Sequence, residues 1–131
     1  MSKTFHAQLL TPNGSLFDGE IIGMKVPGSA GNFEMLYNHA PIVSTLTIGK
    51  VEIQKADDTT LSYAVSGGFV EMNDNQVTLL AEDAVESTDI DADEVRKTLT
   101  EARVRLKENP KDREKIQNEI EKAKNLKKVA E

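Results

Sequence analysis

The sequence predicts a mainly β chain with an α-helical end: a β-sandwich over residues 1–86, followed by an antiparallel two-helix hairpin over residues 87–131. Three observations predict it. Across the first 82 residues, apolar side chains recur with a period of two between polar or glycine-bearing turns, at the roughly 8–12-residue spacing of an all-β domain. At about Ala84 the period lengthens to that of an amphipathic helix. Asn109-Pro110 then cuts the helical part in two.

In chain order, Phe5, Ala7 and Leu9 alternate with His6, Gln8 and Leu10 as a first strand. Pro12-Asn13-Gly14 turns it, because proline fixes φ and Asn-Gly tolerates positive φ. Ile22, Met24 and Val26 form the apolar face of the next strand, which Pro27-Gly28 ends. Residues 32–36 and 43–48 are short strands. Val51 and Ile53 lead to a turn at Asp57-Asp58, with a return through Leu61, Tyr63 and Val65. Gly67-Gly68 marks a bulge or a close backbone approach. The strand resumes at Phe69, turns at Asn73-Asp74-Asn75, and returns through Val77, Leu79 and Ala81.

In the first helix Val95, Leu99, Ala102 and Leu106 form one stripe, and Asp91 with Glu94 resembles a capping box. In the second, Asn109 is the expected N-cap, Pro110 the first helical position, and Ile116, Ile120, Ala123, Leu126 and Ala130 the stripe. Both stripes are narrow and alanine-bearing, so ordering some forty residues on them leaves a marginal hairpin that could detach or open.

Composition narrows the function. The 131 residues contain no cysteine, which excludes disulfides, thiolate zinc sites and cysteine nucleophiles. With no Trp and scattered Phe and Tyr, a stacking platform for single-stranded nucleic acid is not expected. Residues 1–90 carry four Lys and no Arg against twelve acids, whereas residues 91–131 carry twelve Lys and Arg against ten acids. The first part should repel DNA and anionic lipid, and the second reads as an exposed helix pair. Arg103, Arg105, Lys122, Lys124, Lys127 and Lys128 either form a positive face or a solvated surface with pairs such as Glu101 with Arg105 and Glu119 with Lys122.

Motifs for chemistry are incomplete. Gly14 and Gly19 have Walker-like spacing, but Glu20 stands where the phosphate-binding lysine is needed and a strand follows. Asn13-Gly14-Ser15 is a sequon explained by its turn. His6 and His39 are too few for a metal site without cysteine, and His39 reads as a brace for the Asn38-His39-Ala40-Pro41 turn. Ser66 lacks the strand-elbow-helix context of a nucleophile. No catalytic residue and no metal ligand is assigned.

Three stretches together resemble the epsilon subunit of F-type ATP synthases. The first is residues 10–20, built on Pro12-Asn13-Gly14 and Phe17-Asp18-Gly19-Glu20. The second runs from Val26-Pro27-Gly28 through Gly31-Asn32-Phe33 to Asn38-His39-Ala40-Pro41, and the third is Ala64-Val65-Ser66-Gly67-Gly68-Phe69-Val70-Glu71. The resemblance implies a ten-stranded sandwich of two five-stranded sheets with a C-terminal helix pair. It implies a non-catalytic central-stalk subunit of a proton-translocating synthase, coupling the c-ring to the catalytic head. Partners would be the gamma subunit, the c-ring, and the alpha and beta subunits, with no nucleic acid and with the membrane met only through the c-ring.

The same resemblance implies a c-ring-facing loop carrying Ser29, Ala30, Gly31, Asn32, Glu34 and His39, in which Glu34 replaces a common glycine and Tyr37 a common proline. It implies a hairpin that switches between folded and extended states and inhibits ATP hydrolysis when extended, its basic residues facing the beta subunit. Some members bind ATP through Ile/Leu-Asp-x-x-Arg-Ala. Here Asp93 and Arg96 keep only Asp-x-x-Arg, and Lys122 and Leu126 stand where second-helix arginines are expected, so ATP would be at most a weak regulatory ligand and no other cofactor is implied. With Met1-Ser2-Lys3-Thr4-Phe5 lacking signal or transit character, the expected location is peripheral, on the cytoplasmic face of a bacterial inner membrane. Two other readings stand beside it: a free-standing sandwich adaptor whose hairpin binds some other partner, and a small metal- or ligand-binding β-protein.

Overall fold

The computed structural model describes residues 3–131; Met1 and Ser2, the start of the N-terminal segment considered above, lie outside them. The strands are β1 (Phe5–Thr11), β2 (Gly14–Gly28), β3 (Gly31–Leu36), β4 (Ile42–Lys55), β5 (Thr60–Asn73), β6 (Gln76–Ala81) and β7 (Ala84–Glu86). The helices are α1 (Ala92–Glu108) and α2 (Arg113–Ala130), with short 3₁₀ turns before each. The order β1-β6-β5-β4-β2-β3, together with an additional β1–β2 pairing, closes five strands into a ring. Outside that ring β3 hangs on β2 and β7 on β5.

Among the described residues, seven strands replace the expected ten because β2, β4 and β5 each bend and run on through both layers. Hydrogen bonding is propagated along them: β4 pairs with β5 from Ile42 with Met72 to Gln54 with Thr60. The bends fall at Gly49 and at Gly67-Gly68, the expected bulge or close approach. At Gly49 a Cβ would lie 2.5 Å from Pro27, and at Gly68, whose φ is +129°, it would lie 2.0 Å from the Leu80 carbonyl oxygen. Only glycine permits those backbone approaches. The change of period at Ala84 is also less abrupt than expected, since Ala84–Glu86 still pairs with β5 before the helices begin.

The β1 alternation is as read: Phe5, Ala7 and Leu9 are buried. In β2 the buried set is Ile21, Met24 and Val26 instead of Ile22, Met24 and Val26. Ile21 faces Lys55 and Gly23 faces Gln54, so Ile22 is an extra residue that shifts the phase of the strand. Asp74 and Asn75, at φ 49° and 58°, make the tight β5–β6 turn. The sandwich core gathers Leu9, Ile21, Met24, Met35, Ile53, Met72 and Leu79, all fully buried.

The hairpin has a core of its own. Val95, Leu99 and Ala102 of α1 pack on Ile116, Ile120 and Ala123 of α2, with Leu106 and Leu126 at the margin. The two stripes thus bury each other, and of their residues Leu126 also reaches the sandwich, beside Ala64 and Val65. At the end of α2 the buried residue is Val129, one position earlier than the expected Ala130, because Val129 lines the groove against the sandwich strands. Asp91 caps α1, accepting from the backbone N–H groups of Asp93 at 3.0 Å and Glu94 at 3.3 Å. Asn109 does not cap forward; its side-chain amide donates back to the Arg105 carbonyl, serving the exposed end of α1.

Candidate functional site

The six residues of the expected c-ring-facing loop fall at two places. Ser29-Ala30 is the two-residue turn of the β2–β3 hairpin, and Gly31, Asn32 and Glu34 follow on β3, all exposed. The Ser29 backbone N–H donates to the Thr45 carbonyl at 2.9 Å and its hydroxyl lies 2.7 Å from the Thr45 hydroxyl, tying this turn to β4. His39 sits beyond the other end of β3, roughly 17 Å away at the rise of an extended strand. Its backbone N–H donates to Leu36 and its Nδ1 lies 2.7 Å from the Ala40 carbonyl, so it braces the turn. Next to it Asn38 and Asn75 exchange hydrogen bonds of 2.6 and 2.8 Å, clasping this loop to the β5–β6 turn.

The basic residues of the hairpin are not gathered on one face. Arg105 forms an ion pair with Glu119 on the other helix. Each had been given a partner within its own helix, but both flank the apolar seam, where antiparallel helices bring them together. Lys124 pairs with Glu121 at 3.9 Å. Lys122 lies over the sandwich beside Ser66, Glu82 and Asp83, and Lys128 lines a groove of about 630 Å³ between α2 and β2, β3 and β4. Arg103 and Lys127 remain exposed.

The nucleotide set is likewise divided. Arg96 pairs with Asp93 on the solvent side of α1, while Lys122 faces the sandwich. The cavity at the start of α1 is lined by Asp89, Asp91 and Glu94, a concentration of negative charge that opposes phosphate.

His6 Nε2 lies 2.8 Å from Asp18 Oδ1 across the β1–β2 ladder. In the 630 Å³ groove, Lys50 hydrogen-bonds Glu52 at 2.7 Å and holds its carboxyl below the ordinary range, against an opposing effect of burial. Among the described residues there is no group of three or more His, Asp or Glu placed to hold a metal ion. No helix among them is long and apolar enough to cross a membrane.

One surface was missed in the sequence. Leu10 of β1 stands opposite Leu80 of β6, which stands opposite Phe69 of β5. Val43 of β4, 70% exposed, lies two residues beyond the Phe69 partner Thr45. These side chains make an apolar row across four strands on the outer face. A signal was available: Leu9-Leu10, Ile42-Val43, Phe69-Val70 and Leu79-Leu80 are apolar pairs, and in a strand one member of each must point outward.

The molecule is thus a closed sandwich with an apolar outer row, bearing a helical hairpin that has a separate core. Residues 4–87 match the family model described as the β-sandwich domain of the ATP synthase delta/epsilon chain. The chain is 40% identical over 106 residues to an ATP synthase epsilon chain of Nitratidesulfovibrio vulgaris, covering 81% of this chain and 78% of that one. It is 34% identical over 117 residues to a chloroplastic epsilon chain of Pelargonium hortorum, covering 89% and 87%. A chain in the mitochondrial ATP synthase of Euglena gracilis has the same fold, with a TM-score of 0.86 at 21% identity over 98% of this chain and 82% of that one. The chain belongs to the ATP synthase delta/epsilon chain family.

Proposed function

We propose that the chain is a non-catalytic central-stalk subunit of a proton-translocating F-type ATP synthase, with residues 1–86 as the stalk-binding domain and residues 87–131 as the regulatory hairpin. Family membership supports the stalk role. The single observation that carries the division of labour is that sandwich and hairpin have separate cores. A sandwich that is complete without the hairpin can stay in the rotor while the hairpin moves.

The gamma subunit covers the apolar row of Leu10, Leu80, Phe69 and Val43, since contiguous exposed apolar surface of this kind is what a permanent partner buries. The c-ring meets the Ser29-Ala30 end of the sandwich, with Gly31, Asn32 and Glu34, while His39 belongs to the opposite end. The docked hairpin is the resting state. On extending it reaches the alpha and beta subunits and inhibits ATP hydrolysis, which would free its basic side chains from their present neighbours. ATP is at most a weak ligand, given the Asp93–Arg96 pair and the acids at the start of α1. The complex stands at the cytoplasmic face of a bacterial inner membrane, in keeping with bacterial relatives such as that of Nitratidesulfovibrio vulgaris.

The test is deletion of residues 91–131 from the assembled complex. The expected outcome is intact assembly, with gamma and the c-ring still recovered by affinity pull-down, and faster ATP hydrolysis. Loss of gamma would overturn the sandwich as stalk-binding domain, and unchanged hydrolysis would overturn the inhibitory hairpin.

A further inference from the structure

We infer that Asn125 is a latch that sets how often the helical hairpin lifts off the sandwich. Few groups join the two parts. The apolar stripes of α1 and α2 face each other and leave little to bury against the strands. Against β4 and β5, α2 presents Lys122, Asn125, Leu126, Lys128 and Val129. Of these, Asn125 makes the directed contacts: its side-chain Nδ2 donates to the Gly49 carbonyl at 2.8 Å and to the Val65 carbonyl at 3.3 Å.

Those acceptors are specially placed. Gly49 and Val65 are partners across the β4–β5 ladder, at the bend where both strands pass from one layer to the other. Gly49 must be glycine because Pro27 fills the space of its Cβ. The bend therefore turns two carbonyl oxygens toward α2, and one primary amide, with two hydrogens, serves both. Without that donor, the docked hairpin loses both hydrogen bonds to the β4–β5 ladder. A lifted hairpin does not make those bonds, so the loss weighs on the docked state alone.

Beside the latch lies Ser66, whose hydroxyl oxygen is buried and has no hydrogen-bond partner. It borders a cavity of about 30 Å³ closed by Lys122, Asn125 and Leu126. Because the chain has no cysteine, Ser66→Cys places a unique thiol under the hairpin. The cavity leaves room for the larger sulfur, and no hydrogen bond is lost. The hydroxyl oxygen it replaces is buried beneath α2, so the thiol labels faster when α2 lifts, and the rate relative to Ser66→Cys alone reads the change in the open fraction.

The experiment measures alkylation of the Ser66→Cys full chain by iodoacetamide, alone and combined with Asn125→Ala or Asn125→Asp. Asn125→Ala should speed labelling about tenfold, the effect of removing one or two net hydrogen bonds. Asn125→Asp should speed it further, because a carboxylate would face two carbonyl oxygens with no hydrogen to give. Unchanged rates in both variants would overturn the latch. Nuclear Overhauser contacts between α2 and the Gly49 and Val65 segment give a second readout that keeps Ser66. Their weakening in Asn125→Asp is expected, and their full retention would also overturn the latch.

The regulatory consequence rests on the proposed stalk role, whereas the latch does not. In the assembled complex, Asn125→Ala should lower ATP hydrolysis by favouring the extended hairpin. Faster labelling with unchanged hydrolysis would sustain the latch and overturn the inhibitory reading. Unchanged labelling, with hydrolysis raised by deletion of residues 91–131, would do the reverse.

Discussion

The sandwich and the hairpin are built on opposite plans. In the sandwich, core residues come from strands far apart in sequence: Leu9 and Leu79 face each other across a parallel ladder, and Val70 opposes Leu79 across an antiparallel one. In the hairpin, every core residue lies within one of two helices joined by a short turn. The first plan gives a structure in which each strand of the ring is held on two sides and loss of one is felt by all the others. The second gives a unit that can leave its partner without losing its own core. Separate cores are what the proposed division into a fixed and a movable part requires.

That contrast can be broken most severely in the sandwich. Leu79→Ala removes a fully buried side chain at the meeting of β1, β6 and β5 and should destabilise the fold by about 2–5 kcal/mol. Denaturant unfolding measures it, and the strands should be lost as one unit. A smaller and local effect is expected for Leu99→Ser in the seam of the hairpin. Amide exchange should rise throughout α1 and α2 while β-strand protection stays at its wild-type level; spread of that rise into β5 and β6 would mean that the two parts do not open separately. Smallest is Asp91→Ala, which removes the cap on α1 and should cost about 1 kcal/mol. It should show as faster exchange in the first turn of α1 alone.

The legible parts of the molecule were those set by local rules. The alternation of β1, the turn at Gly14, the close approach at Gly68 and the stripe of α1 follow from side-chain period and glycine geometry. Gly67-Gly68 misled on strand number, since the freedom that ends a strand elsewhere here lets a long strand bend and continue. The shift from Ile22 to Ile21 depends on pairing with β4, which no pattern within β2 contains.

The candidate sites were the least legible. Glu101 and Arg105 are correctly spaced for a pair within α1, yet Arg105 takes Glu119 because the facing helix offers a carboxylate at the seam. Ser29 and His39 are close in sequence but separated by the length of β3. Asn125 stands in a lysine-rich stretch with nothing to distinguish it from a solvated residue, and only the bend at Gly49 gives it a role.

Closure of the strand ring has a mechanical consequence. In an open sheet, one strand can slip along its neighbour by breaking a single ladder. In β1-β6-β5-β4-β2 every member of the ring is bonded on both sides, so slip of any one strains two ladders at once. Twisting one end of the sandwich therefore loads many hydrogen bonds in parallel, in shear along their ladders. The ring is thereby built to resist torsion, the property that the proposed stalk role would require.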